Sequence, residues 1–358
     1  MSRNSIWKSA IGIAALGVAV GAQAGSNGVT VSVAAEKTAL GPSDDVVVKV
    51  TLTNTSSTPQ YVLKARTPFE GLSAPLFDIT RDGSKVAYTG AMIKRGKPTQ
   101  ADYYLLKPGA SHTVKVELSS LYDLSVSGDY AIKYRTTSPD LFLAKANNGI
   151  GELQSEAAQV YIEGRLPRGA NSPIMEALKR PGGGGDPAPA GLSYASCTAS
   201  QQTTIASAVS AAKTMSNGSV SYMANATMGP RYTKWFGTVT ATRQATVKAN
   251  FSAIKDAFDN KSVVVDCGCN QNYYAYVYPT QPYRIYVCKA FWTAPMTGTD
   301  SKGGTLVHEM SHFNVVAGTD DNVYGQAGAA SLAISDPNKA VQNADSHEYF
   351  AENTPALN

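Results

Sequence analysis

The sequence predicts two folded regions of different class, an all-β sandwich followed by an α+β domain. Three observations predict them. Short β-rich runs of alternating polarity fill residues 29–162, a Pro/Gly-rich stretch without hydrophobic period interrupts the chain at 166–191, and helical stripes interleaved with strands follow it. At 358 residues and 43% hydrophobic, the chain is long enough to bury two cores. Its 31 basic and 27 acidic residues leave a net charge of +4 with no basic run, which argues against a nucleic-acid partner.

Residues 10–24 are continuously apolar, lie behind Arg3 and Lys8 and end in Ala22-Gln23-Ala24, the pattern of a signal peptide (1–24) cleaved before Gly25. The apolar core is short of the roughly 20 residues a spanning helix needs, so secretion rather than membrane anchoring is expected. In residues 25–165, Val29-Thr-Val-Ser-Val and 46–54 alternate, Leu76-Phe-Asp-Ile-Thr runs into the turn Arg81-Asp82-Gly83-Ser84, and 112–118, 130–135 and 158–162 continue the series. About seven strands without a long helical period suggest an antiparallel sandwich of immunoglobulin-like shape. It contains no catalytic constellation.

Residues 166–191, with the Gly182-Gly-Gly-Gly185 run, read as an exposed linker. In residues 192–358, Ile205, Val209, Ala212 and Met215 share one helical face, and Val247, Phe251, Ile254 and Phe258 share another. Ser262-Val-Val-Val-Asp, Tyr273-Tyr-Ala-Tyr-Val-Tyr and Arg284-Ile-Tyr-Val-Cys read as strands. Cys197, Cys267, Cys269 and Cys288 are even in number, lie in an exported chain and lack C-x-x-C spacing, so two disulfides are expected rather than a thiolate zinc knuckle.

The chemistry sits in His308-Glu309-Met-Ser-His312. Two histidines four apart on one helix aim their imidazoles at a common point, which suits zinc, and Glu309 is placed to take a proton from a metal-bound water. A catalytic zinc needs a third protein ligand. Val315 and Gly318 break the H-x-x-G-x-x-H continuation of the metzincins, and Glu348, Glu352, Asp320, Asp321 and His347 all remain open on spacing alone.

The segment Gly318-Thr-Asp-Asp321-Asn-Val-Tyr324-Gly325, six residues after His312, resembles the G-T-x-D-x-x-Y-G element of the aspzincin metalloendopeptidases, a family that includes deuterolysins and peptidyl-Lys endopeptidases. The resemblance covers residues 192–358, including Arg231-Tyr-Thr-Lys-Trp-Phe-Gly237. It implies a zincin-like protease domain, one Zn2+ held by His308, His312 and Asp321, Glu309 as general base and Tyr324 as oxyanion donor. It also implies the pairings Cys197 with Cys267 and Cys269 with Cys288. A folded segment between a signal peptide and a secreted protease is most simply a propeptide, which assigns that role to the sandwich.

Residues 301–358 carry Lys302 and Lys339 against Glu309, Asp320, Asp321, Asp336, Asp345, Glu348 and Glu352, a net charge of −5. Asp345 and Glu348, at i and i+3, share a helix face. Asn343-Ala-Asp345-Ser-His-Glu348-Tyr-Phe resembles the acidic pocket of the peptidyl-Lys members, which implies cleavage on the amino side of lysine. The bland reading is a solvated helix face. The expected protein is a monomeric zymogen acting on proteins or peptides, as an exotoxin or a nutrient-acquiring enzyme. Its activation cut falls in the linker, with Lys179 as a self-processing site, and Lys94 or Lys97 of the propeptide fills the acidic pocket. An exported adhesin or inhibitor with a structural zinc would need a fourth ligand, and none is evident. A serine hydrolase would need a G-x-S-x-G elbow, which is absent.

Overall fold

The computed structural model describes residues 26–144, 150–164 and 191–358. The expected signal peptide, the linker with Lys179 and the boundary at 165 lie outside these residues.

In the first region the alternating runs become strands because period-2 patterning buries every second side chain. Val29–Ala35, Val47–Asn54 and Ser111–Glu117 form an antiparallel three-stranded sheet. A second sheet is ordered Ala39–Leu40, Ala158–Ile162, Gly128–Ser138, Phe77–Arg81 and Ser84–Lys85, with Gly151–Gln154 also paired to Gly128–Ser138. Val31, Val48 and Leu52 of the first sheet and Ile79, Ile132 and Val160 of the second belong to one core, so the two sheets pack face to face. The predicted turn is there, with Asp82 and Gly83 both at positive φ, 48° and 82°. A two-stranded ribbon, Gln60–Leu63 with Tyr103–Leu106, was not foreseen.

The second region surrounds a mixed sheet ordered Gly191–Ala195, Ser262–Asp266, Arg284–Val287 and Ala275–Val277. The first three strands run parallel and the fourth antiparallel. Helices Ala199–Met223 and Ala241–Asn260 bury the expected stripes, Ile205, Val209 and Ala212 in one, with Met215 half-buried beside them, and Val247, Phe251, Ile254 and Phe258 in the other. Both disulfides, Cys197–Cys267 and Cys269–Cys288, are formed.

The self-contained sandwich expected for 25–165 needs one correction. Met92–Lys94, from within that stretch, leaves the sandwich and pairs antiparallel with Ala275–Val277 as the fifth strand of the second region's sheet. An exposed sheet edge is completed by any extended segment that reaches it.

Candidate metal centre

Helix Lys302–His312 starts at Ser301, whose Oγ accepts the Gly304 N–H at 2.9 Å. All eleven of its residues are buried. Gly304 is required by close approach, because a Cβ there would run into the Glu352 carboxylate.

One helical turn apart, His308 and His312 bring their Nε2 atoms to 3.1 Å. His312 Nδ1 lies 2.7 Å from the Thr319 carbonyl, which can only accept, so the proton is on Nδ1 and the Nε2 lone pair faces the centre. Asp321 Oδ1 stands 3.2 Å from His308 Nε2 and 3.4 Å from His312 Nε2, and has no hydrogen-bond partner. Ligands about 2.0–2.1 Å from a tetrahedral zinc stand about 3.3–3.4 Å from one another. Two imidazole nitrogens and an orphaned carboxylate oxygen at these spacings fit that ion. The loop carrying Asp321 turns at Gly318 (φ 57°) and is tied down by Asp320 N to Gln342 O, Ala344 N to Asp320 O and Val323 N to Asn343 Oδ1.

Glu309 is fully buried with neither oxygen hydrogen-bonded, and burial pushes its carboxyl up to about 7. A carboxylate at that value is poised to exchange protons near neutrality. Tyr324 Oη lies 3.0 Å from Asp321 Oδ2 and 2.9 Å from the Ile93 carbonyl, so its single proton goes to one of two acceptors. Asp345 and Glu348, on helix Ala344–Glu352, are buried, which overturns the solvated-face reading. His308 Nδ1 lies 2.8 Å from Asp345 Oδ1 and 3.2 Å from Glu348 Oε2, off the line of a ring N–H donor.

The remaining third-ligand alternatives are placed elsewhere. Glu352 accepts the Ser301 N–H and Oγ–H at 2.8 Å, at the far end of the metal helix. His347 bonds Asn343 O and the Asn250 side chain among Phe236 and Phe251, and burial lowers its imidazole to about 4. Asp320 bridges to Asn343 and faces a cavity of about 430 Å³ between the two regions. The segment 231–237 becomes helix Pro230–Phe236, which supports Ala344–Glu352 through Trp235 on Tyr349 and Arg231 on the Phe350 carbonyl.

The sandwich region reaches this centre twice. Lys94 is buried, with Nζ 2.6 Å from Glu348 Oε2 and 3.6 Å from both Asp345 Oδ1 and Asp300 Oδ1. Burial opposes its charge, but the three carboxylates hold its pKa well above the ordinary value. Lys97 is exposed. Arg66 was missed by sequence reasoning. It donates to the Asp321 carbonyl at 2.9 Å and stacks 4.9 Å over Tyr324. Asp300, also missed, sits at positive φ (51°), a conformation that Asp tolerates better than most residues, and no motif marks it.

Known proteins resemble this chain over much of its length. Residues 221–352 match the profile of the aspzincin family described as lysine-specific metallo-endopeptidase. An extracellular protease of Aeromonas hydrophila is 49% identical over 89% of this chain and 91% of its own length. A peptidyl-Lys metalloendopeptidase of Armillaria mellea is 36% identical over 87% of this chain and 88% of its own. A solved zinc peptidase from Grifola frondosa, 48% identical, covers 45% of this chain and 100% of that one at a TM-score of 0.44. The chain belongs to the aspzincin family of zinc-dependent metalloendopeptidases.

Proposed function

We propose that the protein is a secreted zymogen of a zinc endopeptidase that cuts internal peptide bonds on the amino side of lysine. His308, His312 and Asp321 would hold the zinc. When bound, zinc supplies a Lewis acid that polarises water and the scissile carbonyl. Glu309 takes the proton of the attacking water and passes it to the leaving amine, and the Tyr324 hydroxyl donates to the oxyanion that develops on the carbonyl oxygen. Asp345 and Glu348 bind the lysine that follows the scissile bond. No covalent intermediate is required.

The observation that carries the lysine and zymogen readings is the pose of Met92–Lys94. It pairs antiparallel along the edge strand Ala275–Val277, with Ile93 opposite Tyr276. The carbonyl just before Lys94 meets the Tyr324 hydroxyl, while the Lys94 ammonium fills the acidic pocket. A substrate bound with lysine after the scissile bond would place the same atoms at the same partners. The sandwich region therefore acts as an intramolecular inhibitor laid across the cleft like a substrate. Its removal requires a cut in the segment around 165–190, where the Leu178–Lys179 bond is the self-processing candidate. Export through the segment at 1–24 and action outside the cell accord with the extracellular relative.

The test uses the unmutated full chain and Glu309→Gln, with zinc counted by elemental analysis and products of a lysine-containing protein read by mass spectrometry. Expected are about one zinc in each, cutting only by the unmutated chain, and new amino termini that begin with lysine. Cutting without lysine termini removes the specificity reading, and a silent unmutated chain after linker cleavage removes the enzyme reading.

A further inference from the structure

We infer that Asp300 is a third, rim-side carboxylate of the lysine pocket and sets the preference for a primary ammonium. The inference rests on the lysine-pocket reading above and adds a residue outside the Asp345/Glu348 pair.

The two inner acids are partly committed elsewhere. Asp345 accepts the Gly325 N–H through Oδ2 at 2.5 Å and lies against His308 through Oδ1, and Glu348 also lies against His308. Asp300 has no such second charge. Among the described residues its one ion pair is with Lys94. Its side chain is 41% exposed while those of Asp345 and Glu348 are 1% and 0%, so it stands where an incoming cation first meets the pocket.

Asp300 is also held in place. Its Oδ1 accepts the Tyr349 hydroxyl at 2.8 Å, its N–H donates to Glu352, and its backbone is left-handed in the turn that precedes the metal helix. The Lys94 ammonium lies among three carboxylates, with the rings of Tyr274 and Tyr349 at 5.3 and 5.9 Å. One carboxylate hydrogen-bonded to the nitrogen and two more at ion-pair distance suit the compact point charge of an ammonium better than the planar fork of a guanidinium. The buried Glu348 Oε1 has no hydrogen-bond partner, which leaves further acceptor capacity in a pocket already seating a cation.

The test measures kcat and KM for paired peptides carrying lysine or the uncharged isostere norleucine after the scissile bond. The enzyme is the full-length chain activated by cleavage in the 165–190 segment. Asp300→Asn keeps the left-handed tolerance and the size. It should raise KM for the lysine peptide about fivefold, the size of a charge pair open to solvent on one side, and leave the norleucine peptide unchanged. Tyr349→Phe, which releases Asp300 without removing its charge, should shrink the lysine preference about twofold. Equal losses on both peptides, or an unchanged preference in Asp300→Asn while Glu348→Gln loses it, would overturn the inference. If Glu348→Gln also keeps the preference, it is the lysine-pocket reading beneath it that has failed.

Discussion

Within residues 26–164 the described chain buries two full charges, Arg66 and Lys94, and both reach across to the other region. From 191 onward it buries six carboxylates, Asp266, Glu309, Asp321, Asp345, Glu348 and Glu352, against the cations Arg231 and Lys302. The sandwich core is aliphatic and aromatic and pays no desolvation cost of its own for charge. The second region keeps acids from water at the candidate metal centre and its pocket, and also in structural roles, Glu352 accepting from Ser301 and Asp266 pairing with Arg284. Lys94 meets three carboxylates of the other region, while Arg66 meets the Asp321 carbonyl and the Tyr324 ring, so both buried cations converge on the candidate metal centre and Lys94 carries the charge pairing. Removing one partner of such a buried pair costs more than the pair itself contributes, since it strands the other.

The largest expected effect lies wholly on the catalytic side. Glu309→Gln should reduce turnover by about a thousandfold with its zinc content unchanged, measured on a peptide substrate and by elemental analysis. Loss of zinc as well would mean that Glu309 shapes the site and does not merely act in it.

A pH experiment asks whether the buried groups of this region limit its stability. With its imidazole at about 4 against an ordinary 6.5, His347 stays neutral in the fold while the unfolded chain takes up the proton. Stability is therefore lost as pH falls from about 6.5 to about 4, by about 3 kcal/mol. His347→Gln should flatten that limb of a denaturation series against pH. A parallel slope in the variant would assign the acid limb to other groups.

Next come the two cations of the sandwich region. Lys94→Met in the uncut full chain should raise cleavage of a short peptide about a hundredfold, because the substitution removes the ion pairs that hold the plug and leaves Asp345 and Glu348 buried without their cation. A chain that stays silent would show that strand pairing with Ala275–Val277 suffices for inhibition. Arg66→Ala, which frees the Asp321 carbonyl and uncovers Tyr324, should speed release of the sandwich region after linker cleavage about tenfold, followed by size exclusion. An unchanged rate would leave Lys94 as the only cation that holds the two regions together.

Much of each region was legible because the signals are local. Ala158–Ile162 alternates within five residues, Ser262–Asp266 carries a run of three valines, and Val247, Phe251, Ile254 and Phe258 mark a buried helix face within one helix. The site was legible to the extent that its parts lie within a few turns of chain. His308, Glu309 and His312 share a helix, and Asp321 and Tyr324 share the loop that follows. Met92–Lys94 was not legible as a strand of the second sheet, since three residues carry no period and the edge they complete lies far along the chain. Lys94 could be proposed for the acidic pocket, but nothing local separated it from Lys97. Arg66 and Asp300 sit in a short 3₁₀ turn and a loop, where residue type alone carries no position.

The sequence by itself determined the alternating sandwich strands, the two long helices, the chemistry of the histidine pair with its glutamate, and the acidity of the last segment. These depend on periodicity and composition within continuous stretches of chain. Only the tertiary structure decided which lysine meets the acids, which arginine covers the tyrosine, and that a third acid stands at the rim. Those partners are 254 and 255 residues apart for Lys94–Glu348 and Arg66–Asp321, and contacts at that separation follow from how two cores dock rather than from any local pattern.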